Sequence, residues 1–323
     1  MKRREFLTLV GGAAALAPST ARAQKAMPVV GLLRSTRAEG FSNLVEALQA
    51  GLGETGYVVG RNVVLEQRWA GEQLDRLPAL TTELIQKQAA VIVANTQAAR
   101  AAMTVTTTVP IVFVTGTDPV RDGLVTSFNR PGGNVTGVSF LVSGTSGKRL
   151  ELLRQLVPTA EVIAVLVDAN NVEARAEQRD LEAAAKAAGQ RLIVFEIKSD
   201  CDIEPAIASA AVQANALFVG AGPYLTARVR LLAALALRHK LLAAHAQRGF
   251  AEAGGLMSYG TSQADACRQS GVYAGRILKG EKPGDLPVLQ ATKFEFVINM
   301  ATAKALGLAV PMQIHAAADE VIE

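Results

Sequence analysis

The chain has 323 residues, half of them hydrophobic and only 5% aromatic, with two cysteines and a formal net charge of +4. That length supports two ordinary α/β units, each with its own core. Beyond residue 23 the charge balance falls to near +1, because Lys2, Arg3, Arg4 and Arg22 outnumber Glu5 in the leading segment. A chain so nearly neutral, without a basic tract, excludes a nucleic-acid surface.

The leading segment sets paired arginines before the modestly apolar run Leu7 to Leu16, and Ala21-Arg22-Ala23 offers small residues where a signal peptidase reads them. This is the pattern of a twin-arginine export signal cleaved before Gln24. The apolar run is shorter than the ~20 residues that a bilayer crossing needs. No cysteine follows the cleavage site, and no later stretch is long and apolar enough to span. A soluble periplasmic protein is expected.

Val29 to Leu33 reads as a first strand, with Arg34-Ser35-Thr36 as its loop. Phe41 to Glu54 carries Phe41, Leu44, Val45, Leu48 and Leu52 at helical spacing. Val63 to Arg68 is a second strand, and Leu74 to Gln88 a second helix. Val91 to Ala94 is a third strand, followed by Asn95-Thr96-Gln97 and an alanine-rich helix. Ile111 to Val114 is a continuous apolar run of the kind found in a buried parallel strand. It ends in the polar loop Thr115-Gly116-Thr117-Asp118-Pro119. Gly123 to Phe128 suggests a short helix before the turn Pro131-Gly132-Gly133-Asn134. Strands and helices alternating at this spacing mean a parallel sheet with right-handed crossovers.

After Ser139 the rhythm repeats. Helices are expected at Lys148 to Leu156, Glu173 to Ala188, Ile203 to Ala214 and Arg228 to Arg238. Between them fall strands at Ile163 to Val167, Arg191 to Glu196 and Leu217 to Val219, and a short one at Leu241 to Ala244. Leu256 to Tyr259, a helix over Gln263 to Leu278, a strand over Phe294 to Asn299 and a last helix over Met300 to Leu306 complete the reading.

Thr117-Asp118-Pro119-Val120 followed by Arg130-Pro131-Gly132-Gly133-Asn134-Val135-Thr136-Gly137-Val138-Ser139 resembles a family of extracytoplasmic ABC-transporter substrate-binding proteins, the tryptophan/tyrosine-type group. Gly31-Leu32-Leu33-Arg34-Ser35, Arg68-Trp69-Ala70, Asp75-Arg76-Leu77-Pro78, Gly255-Leu256-Met257-Ser258-Tyr259-Gly260 and Phe296-Val297-Ile298-Asn299 add to the likeness, which runs from about Pro28 to the carboxyl end. The resemblance implies the type I periplasmic-binding-protein architecture: two Rossmann-like α/β lobes with parallel sheets, joined by a three-stranded hinge and closing on a small molecule. On that scheme residues 28–140 with 261–290 make one lobe, and 141–260 with 291–323 the other. The hinge would run near Thr136 to Val142, Tyr259 to Ser262 and Leu286 to Thr292. A monomer serving an ABC permease is implied, with a periplasmic ligand sensor as the alternative role.

Enzymatic chemistry finds no support in the motifs. No G-x-S-x-G elbow occurs, the three histidines lack metal-ligand spacing, and neither a Walker A sequence nor a G-x-G-x-x-G follows a strand. No cofactor and no metal are expected. Cys201 and Cys267 fall on elements assigned to different lobes, so two unpaired thiols are expected rather than a bridge that would oppose closure.

The binding candidates are loops at strand ends, where ligands sit in open α/β sheets. Ser35, Thr36, Thr96, Thr115, Thr117 and Asp118 lie there in the first half. Asn170, Asn171, Tyr224 and His245 lie there in the second, and Tyr259 lies near a crossing. Trp69 is placed either to stack on a flat ligand or to pack in the core. The same Ser, Thr, Asp and Asn residues cap helices at almost any such loop. Within the set, Thr96 and Thr117, with nearby backbone N–H groups, are expected to hold a ligand carboxylate, and Asp118 an ammonium if one is present. An aromatic amino acid or a related small carboxylate is the expected ligand.

Overall fold

A computed structural model of the chain describes residues 27–140, 143–171, 174–291 and 293–323. The expected export signal lies outside them. The first half builds β1 (Val29–Arg34), β2 (Val64–Trp69), β3 (Ala89–Asn95), β4 (Ile111–Thr115) and β5 (Val135–Ser139). The second supplies β6 (Val162–Asp168), β7 (Arg191–Ile197), β8 (Ala216–Val219), β9 (Leu242–His245) and β10 (Met257–Thr261). β11 (Leu289–Gln290), β12 (Phe294–Asn299) and β13 (Glu320–Ile322) follow. They form two sheets, one ordered β11-β5-β4-β3-β1-β2 and one ordered β13-β12-β10-β9-β8-β6-β7. Every pairing is parallel except that of β10 with β12.

The central strands have apolar side chains on both faces, and helices cover both. In the first sheet, Val91, Val93, Val112 and Val114 pack to one side, and Ile92, Ala94, Ile111 and Phe113 to the other. The second sheet divides the same way, with Ile163, Val165 and Phe218 on one face and Ala164, Leu166 and Leu217 on the other. This is the doubly wound pattern, two α/β sheets each sandwiched by helices, that the alternating elements predict.

Helix Gln263–Leu278 directly follows β10 of the second sheet, yet its Ala266, Cys267, Tyr273 and Ala274 pack in the first core. It lies against helix Ser42–Glu54 through glycine. A Cβ on Gly51 would come within 1.8 Å of the Arg268 carbonyl oxygen, and one on Gly271 within 2.2 Å of that of Leu48. Only glycine permits so close an approach of two helix backbones.

The chain passes between the sheets three times: after β5, after β10 and between β11 and β12. The passages are bonded to one another. Thr136 donates its hydroxyl to Leu286 O at 2.7 Å, Ala291 N–H reaches Ser139 O at 2.8 Å, and Ser262 N–H reaches Lys293 O at 3.1 Å. Thr261 donates to Phe140 O as well. Val142 and Thr292, expected at two of the hinge segments, lie outside the described residues.

Two expectations change. Gly123 to Phe128 forms turns, not a helix. The amides of Leu124 and Val125 both bond to Pro119 O, which sinks two adjacent side chains into the core, while Thr126 and Ser127 hydroxyls bond to the chain returning at Arg130 and Pro131. The chain also does not end its regular structure at Leu306, since helix Met312–Ala317 leads to β13 at the sheet edge. Both cysteines are free, Cys201 exposed and Cys267 buried.

Candidate functional site

The carboxyl ends of β1, β3 and β4 in one sheet face loops after β6, β8 and β9 in the other, and between them lies a cleft whose empty space, counting the part open to solvent, is about 670 Å³. Arg34, Asn95, Thr96, Gly116 and Thr117 line it from the first sheet, and Asn171, Glu177, Ala221, Gly222 and Gln247 from the second. Phe140 and Gln263, next to two of the crossings, line it too.

Arg34 is the last residue of β1 and only 5% exposed. Its guanidinium lies 5.1 Å from the centre of the Phe41 ring, and its Nε has no hydrogen-bond partner. Burial pushes it down from the ordinary arginine value, and the only group acting against that shift is the Cys267 thiol. That thiol is itself pushed up by burial to about 11, so it stays protonated and brings no charge at neutral pH. A guanidinium keeps its proton at neutral pH. The cleft therefore contains a buried cation that no carboxylate among the described residues answers, an arrangement that is costly until an anion arrives.

Beside it, helix Thr96–Val105 begins without a side-chain cap. Asn95, the residue before it, is committed elsewhere: its Oδ1 accepts Ser35 N–H at 3.0 Å and its Nδ2 donates to the Ser35 hydroxyl at 2.7 Å. The first-turn amides of that helix are left as donors at the positive end of its dipole.

Three hydroxyls form a chain. Thr96 Oγ1 lies 2.9 Å from Thr115 Oγ1, which lies 2.8 Å from Thr117 Oγ1, which donates to the Asp122 carboxylate. A carboxylate at the end of such a chain accepts, so the protons run from Thr96 to Thr115 to Thr117 to Asp122. Thr96 and Thr117 consequently turn lone pairs, not protons, toward the cleft. The donors this wall offers are the Arg34 guanidinium and, as expected, the backbone amides at the helix start.

On the far wall, Glu177 is fixed by two bonds. Arg149, wholly buried, pairs with its Oε1, and Ala221 N–H donates to its Oε2 at 2.6 Å. Arg149 also reaches Tyr259 O at 3.3 Å and stacks 4.3 Å above the Phe218 ring.

Of the residues expected at a site, Thr96, Thr117 and Asn171 line the cleft. Ser35 and Thr115 are buried one layer behind it as hydrogen-bond partners of Asn95 and Thr96. Thr36 is buried with its hydroxyl unpartnered, and its carbonyl accepts Gly71 N–H at 3.1 Å. Asp118 turns back on its own loop, its Oδ1 accepting the amides of Val120 and Arg121 at 2.9 and 3.2 Å. Trp69 packs 6.2 Å from Phe41 in the first core. Asn170 donates to Lys198 O, Tyr224 bonds to Asp200, and Tyr259 stacks on Phe294. His245 is fully buried beneath the second-sheet loops. Arg34, Asn95, Glu177, Gln247 and Gln263 are cleft residues that sequence reasoning did not select. Arg34 alone carried a signal, a cation at a strand end followed by two hydroxyl residues.

A family model described as "ABC transporter substrate binding protein" matches residues 29–322. The chain belongs to that family. Among curated proteins it is similar to a tyrosine-binding protein of Clostridioides difficile (strain R20291), 28% identical over 258 residues, which cover 80% of this chain and 74% of that protein. Among solved structures it resembles a conserved domain protein from Vibrio cholerae, with a TM-score of 0.84 at 24% identity over 91% of this chain and 99% of that one. An ABC domain from Streptococcus pneumonia in complex with L-Trp superposes with a TM-score of 0.82, again at 24% identity and covering 91% and 99%. A ligand-free, open substrate binding protein from Clostridium difficile gives 0.67 at 23% identity over 92% and 99%. The expected type I periplasmic-binding-protein fold and the resemblance to the aromatic-binding group are thus borne out.

Proposed function

We propose that this substrate-binding protein is exported, captures a small carboxylate-bearing molecule in the cleft and hands it to the permease of an ABC importer, without catalysing a reaction. The observation that carries the reading is Arg34, a buried cation with no counter-charge among the described residues, set beside an uncapped helix start and facing loops of the opposite sheet. A ligand carboxylate satisfies both at once. The relatives that bind tyrosine and L-Trp support an aromatic skeleton, as do the apolar lining residues Val114, Phe140, Ala176 and Pro223.

The two sheets with their helices act as the lobes, residues 28–140 with 261–290 and 141–260 with 291–323, and close by a hinge motion at the three crossings. The leader supports export, and no helix among the described residues is long and apolar enough to cross a membrane. The test is to purify the mature protein from a periplasmic extract, unfold it, and identify released small molecules by mass spectrometry. Titration of the refolded protein with the molecule found should then show saturable binding with one site. Release of no acid, together with no response to aromatic carboxylates, would remove the reading.

A further inference from the structure

We propose that the ligand is a carboxylate that lacks an ammonium group, so that the cleft selects an organic acid over the amino acid of the same skeleton. This rests on the reading of the cleft as a carboxylate site, and it settles on one of the two ligand classes that the reading admits.

The inference follows from counting charges on the walls. A zwitterion brings one negative and one positive group into a cleft from which water is displaced, and each needs an answering charge or a full set of hydrogen bonds. Arg34 answers the carboxylate. Nothing comparable among the described residues answers an ammonium. Glu177 is the only carboxylate on the described lining, and its charge is neutralised by Arg149 at one oxygen while Ala221 N–H occupies the other. Asp118 caps its own loop on the amides of Val120 and Arg121. Asp168, at the end of β6, is off the lining, and its Oδ1 accepts Asn170 N–H at 3.0 Å. Asp122 is reached only through the Thr117 hydroxyl, and Arg100 stands 3.5 Å from its other oxygen.

The remaining polar side chains of the described lining are neutral: Thr96 and Thr117 lone pairs, Thr226, Asn95, and the carboxamides of Asn171, Gln247 and Gln263. Their oxygens accept from a hydroxyl or a ring N–H as well as from an amine, the carboxamide N–H groups donate to a keto oxygen, and none brings a negative charge. With the Arg149–Glu177 pair summing to zero, the described lining holds one net positive charge. An acid with a single negative charge balances it, whereas a zwitterion leaves the excess in place and meets its ammonium with neutral acceptors alone.

Matched pairs of probes isolate the amine. Purified mature protein, stripped of bound molecules by unfolding and refolding, is titrated calorimetrically with phenylpropionate against L-phenylalanine, hydroxyphenylpropionate against L-tyrosine, and indolepropionate against L-tryptophan. Phenylpropionamide serves as the uncharged control. At least one acid should bind at least about tenfold more tightly than its amino acid, and the amide should bind far more weakly than its acid. Arg34→Gln should weaken the best acid by about a hundredfold, as loss of one partner of a buried charge pair does. Arg34→Lys should recover part of that loss. Circular dichroism reports whether the variants fold, and the comparisons on the unaltered protein stand without them.

An amino acid that binds more tightly than its matched acid overturns the inference and leaves the solute-binding reading intact. Equal affinities for acid and amide, or undiminished acid binding by a folded Arg34→Gln protein, overturn the role of Arg34. Failure of every acid and every amino acid to bind overturns both the inference and the carboxylate reading beneath it.

Discussion

Arg228 and Glu72 meet between the loops of the two sheets, with Nη1 and Nη2 of the guanidinium 2.8 and 3.2 Å from the two carboxylate oxygens. Each partner is held from behind. Arg228 stacks 3.6 Å above the Tyr224 ring and also bonds Asp200, while Glu72 takes the left-handed conformation, φ 72°, with its amide donating to Ser35 O at 2.8 Å. A non-glycine residue in that conformation is mildly strained. The Glu72 carboxylate, on the loop beside Arg34, reaches Arg228 of the opposite lobe. On the proposed hinge motion the pair forms only while the lobes are together, and it biases the hinge toward closure.

Glu72→Gln should therefore weaken ligand binding without touching the lining. A paired, partly buried bridge of this kind is worth about 1 kcal/mol, which lowers apparent affinity by about fivefold through the closed fraction. Small-angle scattering should show the unliganded variant with a larger radius of gyration than the unaltered protein, and the two should converge at saturating ligand. Identical radii without ligand would mean that the bridge does not act on the hinge.

The Arg149–Glu177 pair makes a different prediction, about folding. Arg149 stands on the helix after the first crossing, bonds a carbonyl on β10 and holds Glu177, which in turn fixes the Ala221 amide in the cleft wall. Glu177→Ala leaves a fully buried guanidinium unpaired and should destabilise the protein by about 3–5 kcal/mol. Replacing both partners, Arg149→Met with Glu177→Leu, should restore much of that loss. Urea denaturation of the three proteins distinguishes a buried pair from a bystander, for which the single change would cost little.

The elements were legible where their signal is local. Gln263–Leu278 carries an amphipathic pattern over sixteen residues with Ser262 capping the amide of Asp265, and Phe294–Asn299 sets Phe294 and Phe296 about Glu295 before the apolar Val297 and Ile298, so the expected and observed bounds of both coincide. β13 spans three residues and exists because β12 offers it an edge, a fact with no local trace. The site divides the same way. Loops at strand ends bring Thr96, Thr117 and Asn171 to the cleft, because topology alone puts them there. Which of them would face a ligand depends on who bonds whom across the fold. Asn95 meets Ser35 over sixty residues of sequence and Glu177 meets Arg149 over twenty-eight, and no spacing rule announces either. That no carboxylate among the described residues pairs with Arg34 is visible only in the fold.

Asp118 was the residue expected to hold an ammonium, and its geometry leads to another expectation. With Oδ1 engaged by two amides of its own loop, Asp118→Asn should leave ligand affinity within about twofold. An asparagine oxygen still accepts, so stability should fall by no more than about 0.5–1 kcal/mol. Calorimetric titration with thermal unfolding reads both quantities. A tenfold loss of affinity in a folded variant would return Asp118 to the site.

His245 sets a pH dependence on the second lobe. Its ring is fully buried, its Nδ1 accepts Gln247 N–H at 2.9 Å, and its Nε2, which must carry the proton of the neutral ring, has no partner. Burial, reinforced by the charge of Arg149, lowers its pKa from the ordinary 6.5 to about 3. Because the folded value lies below the unfolded one, the unfolded chain binds the proton first as pH drops. The contribution to stability is therefore complete above about pH 7 and is lost progressively toward pH 3. Between pH 7 and pH 5 that loss is about 2 kcal/mol. His245→Phe removes the titrating group while keeping an aromatic ring beside Phe250, so its stability should fall less over the same interval, by about that amount. Urea unfolding at the two pH values, followed by circular dichroism, measures the difference directly, since the carboxylates common to both proteins cancel. Parallel losses in the two proteins would mean that His245 gains its proton in the folded state as readily as in the unfolded one.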